Sequence, residues 1–355
     1  MEDSRFPLHR LPKNARVNVV KSMGILEILQ YSLCTEATGS LVESLNWNVE
    51  SIRVAFSREA SIEIRFTNIT ALNIIFYRKE PLDPEEARQI PKLILLRTPE
   101  PVLVEYGFIN EDDNLQIEGR QRRRWMFSKK EGLSFGDWRR HITWIFDNDK
   151  MHDIHFMPGS EKFYLKDIKR HLEDFPEEAF LCVDDDCSNE YHERVHRMFQ
   201  PIPSLQLRRN PYDKCKLRRL ICQNFEALSL EDNNPYTLDD LLLSNSLTIE
   251  THTPSNLSVK DIRRFIKHWM TGKTSRRTFY IEIELGFGIV MSAETVLRGI
   301  EHTIAEQGRE RRYRNFLDDV IIPGGYDVRA RDGNLATIVF GLSEIGNSEM
   351  KIYIW

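Results

Sequence analysis

The sequence has few cysteines, and they are poorly placed for a disulfide framework. It contains 5 cysteines in 355 residues, an odd number spread widely along the chain. Small secreted domains that depend on disulfides carry paired cysteines at close spacing. We therefore expect reduced thiols that are buried as small apolar side chains, in a reducing compartment.

A targeting segment and long apolar runs are also missing. The first residues, Met-Glu-Asp-Ser-Arg, lack the basic start and the apolar stretch of a secretory signal peptide. No run approaches the roughly 20 apolar residues that a membrane-spanning helix needs. We therefore expect an intracellular protein, cytoplasmic or nuclear or both, that does not contact a membrane.

The short motifs of common active sites are absent as well. The chain has no Gly-x-Ser-x-Gly elbow, no phosphate-binding Gly-x4-Gly-Lys loop and no dinucleotide fingerprint. Catalytic groups can assemble from distant residues, so a missing motif does not exclude an enzyme. Because no residue pattern favours catalysis, we expect a protein that is not an enzyme and that holds no cofactor and no metal.

What the chain does contain is the composition of a folded protein. Hydrophobic residues make up 41% and charged residues 29% of the sequence, which is typical of globular domains. Its length suggests two or three domains. A net charge of -5 does not favour nucleic acid as the main partner.

Three short amphipathic helices are predicted at the N-terminus. Pro12 suits the first helical position, Gly24 ends the first helix, and Thr35 can cap the third. Apolar residues recur between them at helical spacing: Val17, Val20, Met23, Ile25, Ile28, Leu29 and Leu33. A unit this small buries too little surface to be stable alone, so we expect it to bind another chain.

This region resembles the F-box of a large nematode-expanded protein family. The resemblance rests on Phe-Pro-Leu-x-x-Leu-Pro at residues 6–12, on the apolar ladder, and on Ser-Leu-Cys at residues 32–34. In that family the F-box binds a Skp-type adaptor, which joins a cullin-RING ubiquitin ligase. The adaptor-binding residues that the resemblance implies are Leu8, Leu11, Pro12, Val20, Met23, Ile25 and Leu29. The sequence differs at Ala15 and Arg16, where two aliphatic residues are usual. The alternative is an ordinary three-helix cap on the domain that follows.

From Val49 the apolar period changes from helical to alternating. The predicted strands are residues 49–56, 62–66, 72–76 and 102–106, of which the first three form an antiparallel meander. Prolines interrupt residues 81–101, and the polar residues 116–131 predict an exposed loop. We assign residues 1–47 to the F-box and residues 48–132 to a β-rich segment with an irregular linker.

From residue 133 onward helices and strands alternate. Helix caps are predicted at Ser134, Ser188, Thr237 and Ser258, and a last helix is predicted over residues 296–304. The predicted strands are residues 153–156, 179–183, 205–207, 227–230, 247–249 and 279–283. Their spacing of roughly 20 to 30 residues is typical of leucine-rich and related repeats, although the asparagine ladder is missing. We expect an irregular, leucine-rich-repeat-like α/β stack over residues 133–355, with an ordinary three-layer α/β domain as the alternative.

Two further blocks resemble the same family. Residues 237–243 with 258–272 look like the core of its type-2 F-box-associated domain. Gly-Gly-Tyr-Asp-Val-Arg at residues 324–329, with the Arg-Asp-Gly and Ala-Thr that follow, resembles a C-terminal signature that ends on a tryptophan strand, as at Trp355. The same residues predict a turn, a hairpin and a terminal strand pair. The resemblance therefore implies a substrate-recognition adaptor of an SCF-type ubiquitin ligase, whose C-terminal domain binds an unidentified protein.

Two other functions stay open. Ala15 and Arg16 favour a stand-alone interaction protein with a degenerate F-box. The other is an enzyme or a nucleic-acid binder that works through a basic stretch, because cations interleaved with aromatics can bind single-stranded nucleic acid. The stretch consists of Arg120, Arg122, Arg123, Arg124, Trp125, Phe127, Lys129 and Lys130.

A zinc site is a further alternative. Cys182, Cys187, His192 and His196 are zinc-type ligands, but only four residues separate the cysteine pair from the histidine pair. Typical zinc fingers leave about a dozen residues there, which lets the chain fold back around the metal. Zinc is therefore not expected.

Overall fold

The computed structural model describes residues 8–67, 70–77, 96, 102–109, 115–116, 133–146, 151–172, 180–231, 236–251, 257–274, 277–286, 288–306, 309–314, 319–343 and 346–355. By the density of its internal contacts the chain divides into two units. The first holds residues 1–154 and 158–176, and the second holds residues 155–157 and 177–355. The boundaries predicted after residues 47 and 132 both fall within the first unit and stay predictions.

Three N-terminal helices form close to their predicted positions, although Pro12 is the N-cap of the first helix and not its first residue, and that helix ends before Gly24. They are α1 (Lys13–Lys21), α2 (Ile25–Ser32) and α3 (Glu36–Glu43). Pro12 precedes α1 with an extended backbone, φ -54° and ψ 149°. Thr35 caps α3 because its Oγ1 accepts a hydrogen bond from the backbone N–H of Thr38 (3.2 Å). The prediction of three short helices is confirmed.

An antiparallel meander follows, as predicted. Its strands are β1 (Val49–Phe56), β2 (Ala60–Phe66), β3 (Thr70–Phe76) and β4 (Val102–Ile109), extended by the short β5 (Leu115–Gln116). Ile62 pairs with Val54 on one side and with Ile74 on the other. All three side chains are fully buried, since the alternating pattern turns one face of the sheet inward.

The apolar face of the meander packs against the next helix. This is α4 (Phe135–Ile145), which begins at a capping box of Ser134 and Asp137. The ring of Phe135 lies 5.5 Å from that of Phe56 and 5.2 Å from that of Phe76. The strand β6 (Met151–Phe156) and the helix α5 (Leu165–His171) follow along the chain.

Five parallel strands in chain order form the first part of the second unit's sheet. They are β7 (Phe180–Val183), β8 (Ser204–Leu207), β9 (Ala227–Leu230), β10 (Thr248–Thr251) and β11 (Tyr280–Glu284). The helices between them are α6 (Asn189–Phe199), α7 (Lys214–Ile221), α8 (Leu238–Leu243) and α9 (Val259–Met270). Leu228 pairs with Leu205 and with Ile249, and this row is buried. The alternation of helix and strand is confirmed.

Antiparallel strands complete that sheet. After the short helix α10 (Ala293–Val296) come β12 (Thr303–Ile304), β15 (Tyr326–Arg329), β16 (Leu335–Leu342) and β17 (Ser348–Ile354). β17 pairs with β11 on one side and with β16 on the other. The predicted hairpin and terminal strand pair are confirmed. β13 (Glu310–Arg314) and β14 (Asp319–Pro323) form a separate two-stranded sheet.

The prediction of a helix over residues 296–304 is wrong. α10 ends at Val296, and Thr303–Ile304 is a strand. Gly299 has a φ of 71°, in the left-handed region that stops a helix. Val296 and Ile300 are both buried, so their helical spacing arises from a packed turn and not from a continuous helix. The β13–β14 hairpin was not predicted, because Glu310–Arg314 is mostly charged and shows no apolar alternation.

The mixed α/β class is confirmed: three N-terminal helices are followed by extensive β-sheet with helices between strands. The leucine-rich-repeat-like stack stays a prediction. Most of the proline-interrupted stretch and nearly all of the loop predicted over residues 116–131 lie outside the described residues. Across the described ranges, no helix is long and apolar enough to cross a membrane.

Candidate interaction surface

The predicted adaptor-binding residues differ in exposure. Val20 and Leu29 are fully buried, so any role of these two in partner binding is indirect, through the positions of α1 and α2. Pro12 is exposed and four others are half-buried: Leu8, Leu11, Met23 and Ile25. We call these five accessible residues the N-terminal surface. Whether a partner contacts them stays a prediction.

Two turns position the N-terminal surface. The backbone N–H of Leu11 donates to the carbonyl of Leu8 (3.1 Å), and that of Met23 donates to the carbonyl of Val20 (3.1 Å). The backbone N–H of Gly24 donates to Oε2 of Glu27 (2.9 Å), which satisfies one free donor at the start of α2. The accessible residues therefore stand on turns that local hydrogen bonds fix.

The N-terminal helices rest on α4 within the first unit. Oγ of Ser32 lies 2.8 Å from Nε2 of His141 on α4. A Cβ atom added at Gly39 would collide with the ring of Trp144, so glycine allows α3 to approach α4 closely. Leu41 and Val42 of α3 are buried as well. These contacts tie the N-terminal surface to the rest of the unit.

The four zinc-type side chains are buried but have other partners. Nε2 of His192 donates to the carbonyl of Asp184 (3.0 Å), and Nδ1 of His196 is hydrogen-bonded to the hydroxyl of Tyr212. Sγ of Cys187 donates to a backbone carbonyl (3.7 Å). Within the described ranges, no group of three or more His, Cys, Asp or Glu side chains could hold a metal ion.

Burial lowers the pKa of both histidines of α6, His192 and His196. Burial lowers the pKa of His192 to about 4, and the positive charge of Arg209 acts in the same direction, against the hydrogen bond to Asp184. Burial, with the charge of His192, lowers the pKa of His196 to about 3. Both imidazoles are therefore neutral at pH 7.

The C-terminal signature forms one polar network. A terminal nitrogen of Arg309 donates to Asp327 (2.9 Å), and the hydroxyl of Thr337 donates to the same carboxylate (2.8 Å). The indole N–H of Trp355 donates to Thr337 (3.0 Å), and the guanidinium of Arg311 lies 5.2 Å from the Trp355 ring. The network explains why a tyrosine-aspartate turn, a threonine strand and a terminal tryptophan occur together. The two arginines lie outside the quoted signature, and the sequence reasoning missed them.

A second polar cluster joins β11 and β17. Nζ of Lys351 lies 3.1 Å from Glu349 and 3.5 Å from Glu282. Burial raises the pKa of Glu349 to about 7, helped by a hydrogen bond and the negative charge from Glu282 and opposed by Lys351. This face of the sheet therefore carries a group that changes its charge near neutral pH. No sequence pattern singled it out, because strand pairing alone brings these residues together.

The helix α8 is linked to α7 through one buried carboxylate. Asp240 is 2% exposed. It accepts a hydrogen bond from the backbone N–H of Thr237 (3.0 Å) and another from Nε of Arg218 (3.0 Å). The same side chain therefore caps its own helix and binds the neighbouring one, which explains the Leu-Asp-Asp pattern of this block.

Comparison with known proteins identifies this part of the chain. A family model described as F-box associated matches residues 216–283, which run from α7 to β11. The chain therefore contains an F-box associated domain, and the blocks at residues 237–243 and 258–272 lie within it. The match covers less than half of the chain. Neither the curated proteins nor the solved structures gave a match.

Proposed function

We propose that this chain is a substrate-recognition adaptor of an SCF-type cullin-RING ubiquitin ligase of the nematode type. Its N-terminal helices act as an F-box that binds a Skp-type adaptor and, through it, a cullin. The C-terminal domain binds a protein substrate in the cytoplasm or nucleus. The chain itself carries out no chemistry, since raising the substrate's effective concentration at the ligase leads to its ubiquitin-dependent degradation.

The observation that carries this proposal is the F-box associated domain at residues 216–283. It follows three N-terminal helices whose sequence has the F-box pattern, and such domains are named for their occurrence beside an F-box. The accessible apolar residues of the N-terminal surface favour the same role, because a partner that covers them removes apolar area from water.

The proposal extends to the architecture of the substrate-binding domain. Parallel strands β7 to β11 follow one another in chain order, and consecutive helices from α7 to α10 contact each other. Both features favour a leucine-rich-repeat-like stack, in which each unit contacts its neighbours. A three-layer α/β domain is the alternative.

Binding to a Skp-type adaptor tests the proposal. We expect the double variant Leu11→Ala, Pro12→Ala to weaken adaptor binding by about 2 kcal/mol, or about thirtyfold, because central interface anchors carry most of the binding energy. The full-length chain and the variant are compared by titration calorimetry with the purified adaptor. A truncated chain is unsuitable because the N-terminal helices pack on α4.

Leu243→Ala is the matched control for this comparison. Leu243 is 46% exposed and lies on α8, so its truncation removes an exposed leucine outside the N-terminal surface. Its affinity should equal that of the unmodified chain. Equal binding by the folded Leu11→Ala, Pro12→Ala variant would rule out this surface as the adaptor site.

A stand-alone interaction module is the second candidate. It rests on Ala15 and Arg16, which stand where aliphatic residues are usual in the F-box family. If the F-box is degenerate, the unmodified chain fails to bind the adaptor and leucine at both positions restores binding. The third candidate depends on the basic stretch at residues 120–130, which lies outside the described residues.

A further inference from the structure

The first helix has a strong excess of positive charge. Residues 8–24 contain Arg10, Lys13, Arg16 and Lys21 and no aspartate or glutamate, although the whole chain has a net charge of -5. Arg10, Lys13 and Lys21 are exposed, and Arg16 is half-buried. The positive charge therefore surrounds the same segment that carries Leu11 and Pro12 of the N-terminal surface.

Arg16 is the unusual member of this group. Its Nε atom is shielded from solvent, and the described residues provide no hydrogen-bond acceptor for it. A donor that is shielded without an acceptor is unfavourable, because it has lost its hydrogen bond to water and no protein hydrogen bond replaces it. Among the described residues, the Nε atom of Arg16 therefore has its hydrogen-bonding capacity unused.

The position of Arg16 connects it to the N-terminal surface. Its backbone N–H donates to the carbonyl of Pro12 (3.0 Å), so the two residues stand one helical turn apart on the same side of α1. Burial raises the pKa of Tyr31 on α2, and the positive charge of Arg16 opposes that rise. Arg16 therefore stands one turn from Pro12 and is near enough to Tyr31 to affect its pKa.

We propose that Arg16 binds a carboxylate of the protein that covers the N-terminal surface, and that Arg10, Lys13 and Lys21 select an acidic patch around that carboxylate. The inference rests on the proposed function, in which this protein is the Skp-type adaptor. A guanidinium presents a planar fork of N–H donors that matches the two oxygens of a carboxylate. The partner thereby supplies the acceptor that the described residues do not provide.

A protein carboxylate fits this surface better than a phosphate of nucleic acid or lipid. Leu11, Pro12, Met23 and Ile25 lie along the same segment as the cations, so the surface is partly apolar. Protein interfaces combine apolar contacts with a few paired charges, whereas phosphate backbones are bound mainly by clustered cations. Arg16 is therefore a specificity residue of the interface and not a sign that the F-box has decayed.

Substitution of Arg16 distinguishes a carboxylate-binding arginine from a degenerate F-box. Arg16→Leu introduces an aliphatic residue of the kind usual in the F-box family, and a degenerate F-box would then bind the adaptor more tightly. We expect the opposite: Arg16→Leu weakens binding about thirtyfold or more, because the adaptor's carboxylate stays unpaired in the interface. Arg16→Lys is expected to lie between the two, since lysine keeps the charge but lacks the fork.

The measurement is titration calorimetry of the full-length chain with a purified Skp-type adaptor, at low and at high salt. The affinity of the unmodified chain should fall with salt more steeply than that of Arg16→Leu. Arg219→Leu is the matched control, since Arg219 is an exposed arginine on α7, and its affinity should not change. Thermal unfolding of each variant checks that the fold is intact.

Each outcome decides a different question. Equal or tighter binding by Arg16→Leu, with the unmodified chain still binding, overturns the carboxylate contact and leaves the proposed function intact. Full affinity of Arg16→Lys overturns the forked geometry. Absence of binding by every variant overturns both proposals. Arg16-dependent binding of a single-stranded RNA oligonucleotide or of phosphatidylserine vesicles, with adaptor binding unaffected, assigns the site to phosphate instead.

Discussion

Asp327→Ala is expected to lower the free energy of unfolding by about 2 kcal/mol. Its carboxylate is 10% exposed and accepts hydrogen bonds from Arg309 and Thr337. The pair is half-buried, so Arg309 regains some water when Asp327 is removed, and the cost is that of lost hydrogen bonds to a charged group, about 1.5 to 3 kcal/mol. The variant also loses the acceptor for Thr337, to which the indole of Trp355 is hydrogen-bonded.

Urea unfolding followed by tryptophan fluorescence measures this loss, because Trp355 belongs to the network. Asp332→Ala is the control: Asp332 is exposed in the adjacent turn, where its side chain accepts a hydrogen bond from the backbone of Asn334 (3.2 Å). Its effect should stay within about 0.5 kcal/mol, as is usual for surface positions. Equal losses for the two variants would show that the network does not stabilise the fold.

The pH dependence of Asp327 has a definite sign. Burial opposes ionisation of Asp327, but the hydrogen bonds from Arg309 and Thr337 and the nearby positive charges outweigh it and hold its pKa below the usual value. The stability that Asp327 contributes is therefore fully present above the ordinary pKa of about 3.8. It is lost as the pH falls through the lower pKa of the folded state.

Acidification from pH 6.5 towards pH 4 is expected to destabilise the chain through His192 and His196. Their pKa values in the folded state are about 4 and about 3, against an ordinary value of 6.5. Within this range the unfolded chain binds protons that the folded chain cannot, so stability falls with pH. Each histidine contributes a slope of up to about 1.4 kcal/mol per pH unit.

The double variant His192→Gln, His196→Gln isolates this effect. Glu349 acts in the opposite direction, since its raised pKa makes the folded chain more stable as the pH falls from about 7 to its ordinary value of 4.5. The quantity to compare is therefore the difference in slope between the variant and the unmodified chain, from urea unfolding at several pH values. An unchanged slope in the double variant would contradict the burial of neutral histidines.

Most elements of the fold were predictable because their signals are local. The helix caps at Ser134, Ser188 and Ser258 and the alternation in β1 to β3 depend on neighbouring residues only, so the sequence alone predicts them. The prediction of a helix over residues 296–304 was wrong because it, too, used only a local signal. Its apolar spacing is genuine, but Gly299 adopts a left-handed φ of 71° that the spacing does not reveal.

In the candidate site, too, local sequence signals were predictable and burial was not. The accessibility of Met23 and Ile25 and the burial of Val20 and Leu29 could not be told apart, because all four belong to one apolar ladder. Sequence spacing places residues on a helix, whereas burial depends on which side the rest of the unit covers. The unpartnered nitrogen of Arg16 is likewise visible only in three dimensions.

The sequence by itself determined the order of most helices and strands, the three N-terminal helices and two blocks that lie within the F-box associated domain. Only the tertiary structure decided how distant residues meet: Arg309 and Asp327 in one network, Glu282 and Glu349 across paired strands, and two histidines buried without charge. The physical reason is the distance along the chain over which each interaction acts. Capping and periodicity are set by residues within one turn or strand, whereas burial, ion pairing and pKa depend on chain segments that only folding brings together.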